Sequence, residues 1–288
     1  MARLLELSDG RSRVSLAPGM GGGIARFDAL TSGGPVPVLR AWDGSAAPFA
    51  LACNVLAPFS NRVSGGGFTF EGVFHPLPCN LDGEGFPIHG DAFQRVWAVE
   101  QEAPTHAVLT LTSAGIGPFR YDARLDYRLD AGSLGTTLTI TNSGPRLPFG
   151  GGFHPWFPRR ASTRLCFAAE GAWLEDDRHL PTAHRSLAEL PQWNFSDPQP
   201  LPDTWINNAF TGWSGTARID QPDLGLAVEI VTDGLDTAIV YAPSPEAAFF
   251  CFEPVSHAVD AANQPGQPGL IPLETGQSLV LSMSIGWR

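Results

Sequence analysis

The chain contains no lysine: all 18 of its basic side chains are arginine, against 29 aspartates and glutamates, for a formal net charge of -11. An acidic chain without a basic stripe is not built to hold nucleic acid, and its acidic residues are too scattered to form a tail. Charge of either sign is scarce. Charged residues make up 16%, against about 25% in an ordinary globular chain, so the surface is built largely from Ser, Thr, Gly, Pro and Ala. Cysteine is also sparse. Cys53, Cys79, Cys166 and Cys251 are widely spaced without a CxxC pair, which points to free, mostly buried thiols rather than a disulfide framework. No apolar run is long enough to cross a bilayer, and the first ten residues lack the apolar stretch of a signal peptide. A soluble, cytoplasmic protein is expected, with no membrane or nucleic-acid partner. Fixed-period repeats, heptads and low-complexity tracts are absent.

What is abundant is punctuation. The 32 glycines and 26 prolines break the chain every few residues, and short alternating runs fill the intervals, the pattern of an all-β protein. Tyr121, Ala123, Leu125, Tyr127 and Leu129 alternate with Asp122, Arg124, Asp126, Arg128 and Asp130, and the C-terminal run from Leu279 to Trp287 repeats the pattern. Further strands are predicted near 12–17, 22–28, 36–42, 67–71, 94–101, 105–113, 134–142, 163–169, 215–220, 224–232, 236–242 and 247–253. So many antiparallel strands cannot stay in one open twisted sheet, so two large sheets packed face to face are expected, a β-sandwich forming a single domain over 1–288. Only 181–190 reads as a helix. Two long loops, 75–93 and 186–206, are longer than a compact domain needs for connection alone.

Candidate chemistry gathers at a few places. Phe149-Gly-Gly-Gly-Phe-His-Pro-Trp-Phe-Pro158 sets His154 between glycines, which admit backbone or ligand, and Pro155, which stiffens the chain; Trp156 offers a flat apolar face. The stretch reads as a pocket floor. Glu253 ends the apolar run from Ala247, where an ionised carboxylate is costly unless paired, and where burial would raise its pKa toward that of a general base. The structural alternative is an ion pair with an arginine. Arg62 lies in a turn-rich segment and His89 in a glycine-rich loop, both also compatible with plain exposure. His257, Asp260 and Asn263 read as loop-shaping groups. There is no HExxH, close cysteine pair or His-x-His, so no metal is expected. The Gly19–Gly23 and Gly65–Gly67 runs precede strands rather than a helix N-terminus that could cradle phosphate, and no nucleophile elbow is present.

In order along the chain, Pro58-Phe-Ser-Asn-Arg-Val, Phe68-Thr-Phe-Glu-Gly72, Ile88-His-Gly90, Gly152-Phe-His-Pro-Trp-Phe157, Asn207-Asn-Ala-Phe-Thr-Gly-Trp213 and Phe252-Glu-Pro-Val-Ser-His257 resemble the aldose 1-epimerase family, the galactose mutarotase-like proteins. The resemblance implies an elongated β-sandwich with a sugar site in a cleft on one sheet, and interconversion of the α and β anomers of a free or 6-substituted hexose without metal or organic cofactor. It makes Glu253 the base on the anomeric hydroxyl and His154 the acid at the ring oxygen, with Arg62 and His89 holding sugar oxygens and Trp156 packing beside the ring. Asn207 stands where many members carry a sugar-binding aspartate, which leaves the preferred sugar open. Arg159, Arg160 and Arg95 could read a phosphate or other anion, or simply be exposed charges. The partner implied is a small sugar, the assembly a monomer or homodimer. Two alternatives stand beside this reading: a sugar-binding module without turnover, and a glycoside hydrolase pairing Glu253 with Asp203, which needs two carboxyls flanking one bond.

Overall fold

The computed structural model describes residues 3–47 and 49–288. Alternation decides one layer directly. Along Tyr121–Asp130 every second residue is buried and the charged partners point outward, and Ser133–Asn142 and Ser278–Trp287 continue the pattern. These strands form the middle of an eight-stranded antiparallel sheet running Arg164–Phe167, Thr216–Gln221, Leu226–Asp233, Ser278–Trp287, Ser133–Asn142, Tyr121–Asp130, His106–Ala114 and Ala98–Ala103. Its apolar face lies on a second sheet of eleven strands. Leu125, Leu138, Leu281 and Ile285 from one side meet Phe153, Phe157, Phe210, Phe250 and Phe252 from the other in one continuous core. The fold is the expected all-β sandwich.

The larger sheet runs Leu5–Ser8, Ser12–Ala17, Gly23–Thr31, Cys53–Leu56, Gly152–Pro158, Phe249–Val255, Thr237–Ala242, Ile206–Thr211, Gly171–Glu175 and Pro181–Ser186, with Gly34–Pro37 paired to Gly23–Thr31. Its central strands are covered on both faces. Cys53–Leu56 and Gly152–Pro158 are buried at every residue, so neither shows the in-out alternation by which a strand is read from sequence. That is why the stretch around His154, which reads as a turn and pocket floor, is a central strand. Its glycines serve the neighbouring backbones. A Cβ at Gly151 would come within 2.5 Å of Leu56 O, and one at Gly152 would collide with Pro254 O.

The helix expected over 181–190 is absent. Pro181–Ser186 is an edge strand paired with Gly171–Glu175, and only Leu187–Glu189 turns, as a 3-10 segment. The helical signal there is a true capping box: Ser186 Oγ accepts from Ala188 N–H, and Glu189 accepts from Ser186 N–H. The capped segment is one turn long because Pro191 follows. A hairpin, Gly67–Phe70 with Val73–Pro76, and a two-stranded antiparallel pair remote in sequence, Leu147–Phe149 with Ile271–Leu273, lie outside the two main sheets.

Candidate active site

Register places the site. Gly152 pairs with Val255 and Trp156 with Cys251, which sets His154 opposite Glu253 on adjacent antiparallel strands. Directly opposed residues share a face. On the other flank His154 pairs with Asn54, while Glu253 pairs with Ile239 and Tyr241 pairs with Asn207. One face of the large sheet, the one turned away from the inter-sheet core, therefore carries Asn54, His154, Trp156, Glu253, Tyr241 and Asn207 in neighbouring rows.

His154 and Glu253 are both almost fully buried, with Nε2 3.4 Å from Oε1. His154 Nδ1, Glu253 Oε2 and the Asn54 amide oxygen are buried without a hydrogen-bond partner among the described residues. Buried polar atoms in native proteins nearly always have a partner, so this concentration on one face makes it the candidate site for a polar ligand. Burial pushes the Glu253 carboxyl up to about 8, with Arg62 pulling the other way. Burial pushes His154 down to about 3, and Arg40 acts in the same sense. The two shifts have one consequence: across the neutral range the pair holds a single proton. Such a proton belongs to the pair, since a neutral imidazole beside a carboxylic acid and an imidazolium beside a carboxylate differ only by its transfer.

His89 stands over this pair. It is buried with φ of 59°, and the next residue, Gly90, also has positive φ, where a Cβ would collide with Ala57 O. The turn projects the imidazole inward, its ring centroid 5.4 Å from that of His154. Nδ1 accepts from Asn61 N–H, which leaves the proton on Nε2 as a donor. Burial, then the neighbouring His154, Arg62 and His257, hold its pKa well below the ordinary value, so it stays neutral. Phe49 stacks against His154 at 5.5 Å and meets His89 edge-on at 5.3 Å, walling this side.

Arg62 reaches the same neighbourhood with its fork occupied. Nε and Nη2 donate to the Glu84 carboxylate at 2.9 to 3.1 Å. Glu84 belongs to the loop that delivers His89, and sequence reading passed over it; the available signal was a carboxylate in the same long loop as a candidate histidine. Trp156 does lie beside His154, stacked at 4.9 Å and 11° between planes. The Arg40 guanidinium also lies 4.0 Å from its ring centre, so the indole orients the histidine rather than presenting a free face. Asn207 sits two strands from Glu253, its amide donating to Glu175 Oε2 at 3.0 Å. Glu175 is a second carboxylate on this face that sequence reading did not single out.

The remaining candidates are structural. His257 accepts Ser60 N–H at Nε2 and lies 2.8 Å from Ala258 O through Nδ1, and Asp260 accepts from Ser64 and Asn263. Arg159 donates to the Ser244 and Pro202 carbonyls, and Arg95 pairs with Asp91. Asp203 shares a surface depression with Arg159, Arg160 and Glu246, apart from Glu253. The donor atoms of His154, Cys251 and Glu253 all lie within 4.8 Å of one another, a set a divalent ion could bridge. In the metal-free protein burial, then Glu253, raises the Cys251 thiol well above its ordinary value.

Comparison with known proteins identifies the family and the fold. The aldose 1-epimerase family model matches residues 3–286. The uncharacterized protein YphB of Escherichia coli K12 is 34% identical over 280 residues, covering 91% of this chain and 96% of its own. The crystal structure of a proposed aldose 1-epimerase from E. coli K12 superposes with a TM-score of 0.92 at 33% identity, covering 99% of both chains. A galactose 1-epimerase from Lactobacillus acidophilus NCFM shares the fold, with a TM-score of 0.79 at 16% identity over 99% of this chain and 94% of its own.

Proposed function

Because the chain belongs to the aldose 1-epimerase family, we propose that it is a mutarotase for an uncharged aldose, with Glu253 and His154 as its acid–base pair. The observation that carries this is the juxtaposition of a buried carboxyl and a buried imidazole at 3.4 Å on one sheet face, with further polar atoms there unsatisfied. The anomeric hydroxyl and the ring oxygen are bonded to the same carbon. An acid and a base serving both must therefore stand side by side, as residues opposed across two strands do. With the pair's proton passed from Glu253 to His154, Glu253 takes the proton of the anomeric hydroxyl as His154 delivers its own to the ring oxygen. The bond from the anomeric carbon to the ring oxygen breaks and a carbonyl forms. Rotation about the adjacent carbon–carbon bond turns the other carbonyl face to the hydroxyl, and the same two groups run in reverse to close the opposite anomer. The pair ends with the one proton it began with, so no cofactor is consumed.

His89 Nε2–H and Arg62 supply donors to the sugar oxygens, with Glu84 fixing the Arg62 fork. An uncharged sugar is favoured because Arg62, Arg95 and Arg159 are each already engaged by a carboxylate or by backbone carbonyls. Retention of both an acid and a base distinguishes this reading from a sugar-binding module, which needs neither. The test is anomer exchange of galactose and glucose, followed by polarimetry or NMR, with Glu253→Gln and His154→Asn. Each substitution is expected to lower the catalysed rate by about 10²–10⁴-fold, and near-normal exchange by purified Glu253→Gln refutes the mechanism.

A further inference from the structure

The acid has an edge that the sugar does not reach. Phe49 and Trp156 are both stacked on the His154 ring, at 5.5 and 4.9 Å between centroids, so its polar contacts are made at the ring edge. Nε2 lies on the Glu253 side, 3.4 Å from Oε1. Nδ1 is on the other side of the imidazole, and a sugar whose ring oxygen meets Nε2 does not meet Nδ1 as well. Nδ1 is buried without a partner among the described residues, yet the reaction gives it a proton at every stage. Nε2 must be bare to receive the proton that Glu253 passes to it, which puts the proton of the neutral ring on Nδ1. The imidazolium carries both protons, and once Nε2–H has gone to the ring oxygen, Nδ1–H is what remains. His154 Nδ1–H is therefore a permanent buried donor, and such a donor is costly without an acceptor.

An acceptor stands one strand away. Gly152–Pro158, which carries His154, lies between Phe249–Val255, which carries Glu253, and Cys53–Leu56, where the register partner of His154 is Asn54. Asn54 is only 3% exposed, and its Oδ1 also lacks a partner among the described residues. The cavity of about 280 Å³ beyond it is walled by Met20, Phe49, Leu51 and Phe93, and Gln94, the other polar side chain there, already donates to Asn80 O. A buried donor without an acceptor thus stands beside a buried acceptor without a donor. Directly opposed side chains have Cβ atoms about 4.5–5.5 Å apart, a separation that an amide-to-imidazole hydrogen bond spans, and the asparagine amide torsion is soft. Building on the mutarotase reading, we infer that Asn54 is the positioning residue of the acid: its Oδ1 accepts from His154 Nδ1–H, fixing the tautomer that leaves Nε2 open to Glu253 and stabilising the imidazolium that protonates the ring oxygen. Without that acceptor the neutral ring is free to hold its proton on Nε2. Glu253 then has no bare nitrogen to charge, and delivery of Nε2–H to the ring oxygen would leave an imidazolate.

Histidine ¹⁵N spectra of the wild-type protein, with His154 assigned through His154→Asn, should show a proton on Nδ1. A bare Nδ1 overturns the inference, because the Asn54 amide would then be presenting its NH2 group. Asn54→Leu is close in size and removes the acceptor. It should lower kcat for anomer exchange of galactose and glucose about 10–100-fold and leave KM unchanged, since the sugar touches the other edge of His154. Asn54→Asp keeps an acceptor oxygen, so it should hold the proton on Nδ1 and recover kcat relative to Asn54→Leu. Wild-type kcat in Asn54→Leu overturns the inference. Equal losses in the two variants, or a loss that falls on KM, mark a disturbed strand or sugar site and overturn it too. If the wild-type protein exchanges no aldose, the mutarotase reading fails separately, and Asn54 is judged by the ¹⁵N spectra, which need no turnover. A proton shared between Nδ1 and Nε2 in Asn54→Leu then supports the inference, and a spectrum identical to that of the wild-type protein overturns it.

Discussion

Replacing Glu253 with glutamine should inactivate the protein and stabilise it, by an amount that depends on pH in a direction the structure dictates. Burial lifts the folded carboxyl from an ordinary 4.5 to about 8. Between those values the folded chain holds a proton that the unfolded chain has released. The stability contributed by the neutral carboxyl is complete below about 4.5 and is lost as pH rises toward 8. Each pH unit in that window removes about 1.4 kcal/mol, so from pH 5 to pH 7.5 the wild-type protein loses about 3 kcal/mol through this group. Glutamine keeps the shape and does not titrate. The buried histidines titrate in both proteins and cancel to first order in the difference. Denaturant unfolding of wild type and Glu253→Gln at pH 5, 6.5 and 7.5 should show the variant's advantage growing by about 3 kcal/mol across the series, while its anomer exchange is lower throughout. A stability difference that stays constant with pH refutes the assignment of Glu253 as a desolvated carboxyl, and with it the physical basis for its role as base.

The one-proton pair predicts a kcat/KM for exchange that is flat through neutrality and falls above about pH 8, when the pair loses its proton; a profile falling between pH 7 and 6 instead contradicts the low His154 value. Gly152→Ala drives a Cβ against Pro254 O between the two site strands, so urea unfolding should show a loss of about 1–3 kcal/mol, with exchange slowed because the spacing of His154 and Glu253 is disturbed. Glu84→Gln removes the charge that holds the Arg62 fork and should raise KM about 10-fold, equivalent to about 1.4 kcal/mol. An unchanged KM means Arg62 is positioned by something else.

The outer sheet was legible along the chain because it has one wet face: the alternation from Tyr121 to Asp130 survives directly into the structure. His154 and Glu253 were legible as chemistry, a histidine among glycines and a carboxylate ending an apolar run, and the ordered motifs named the family. Their strand was not, since Gly152–Pro158 is covered on both faces and its sequence carries no period. The 181–190 segment shows the opposite failure, a genuine helix cap followed by only one turn. Composition and motif could supply the reacting groups because acid, base and burial are properties of residue type and local run. Register could not be read, because it depends on which strands become neighbours. It is register that sets His154 beside Glu253, ninety-nine positions apart in sequence (253 minus 154). Tertiary structure likewise occupied the arginines, placed Glu84 on Arg62, and aligned Glu175 and Asn207 on the catalytic face.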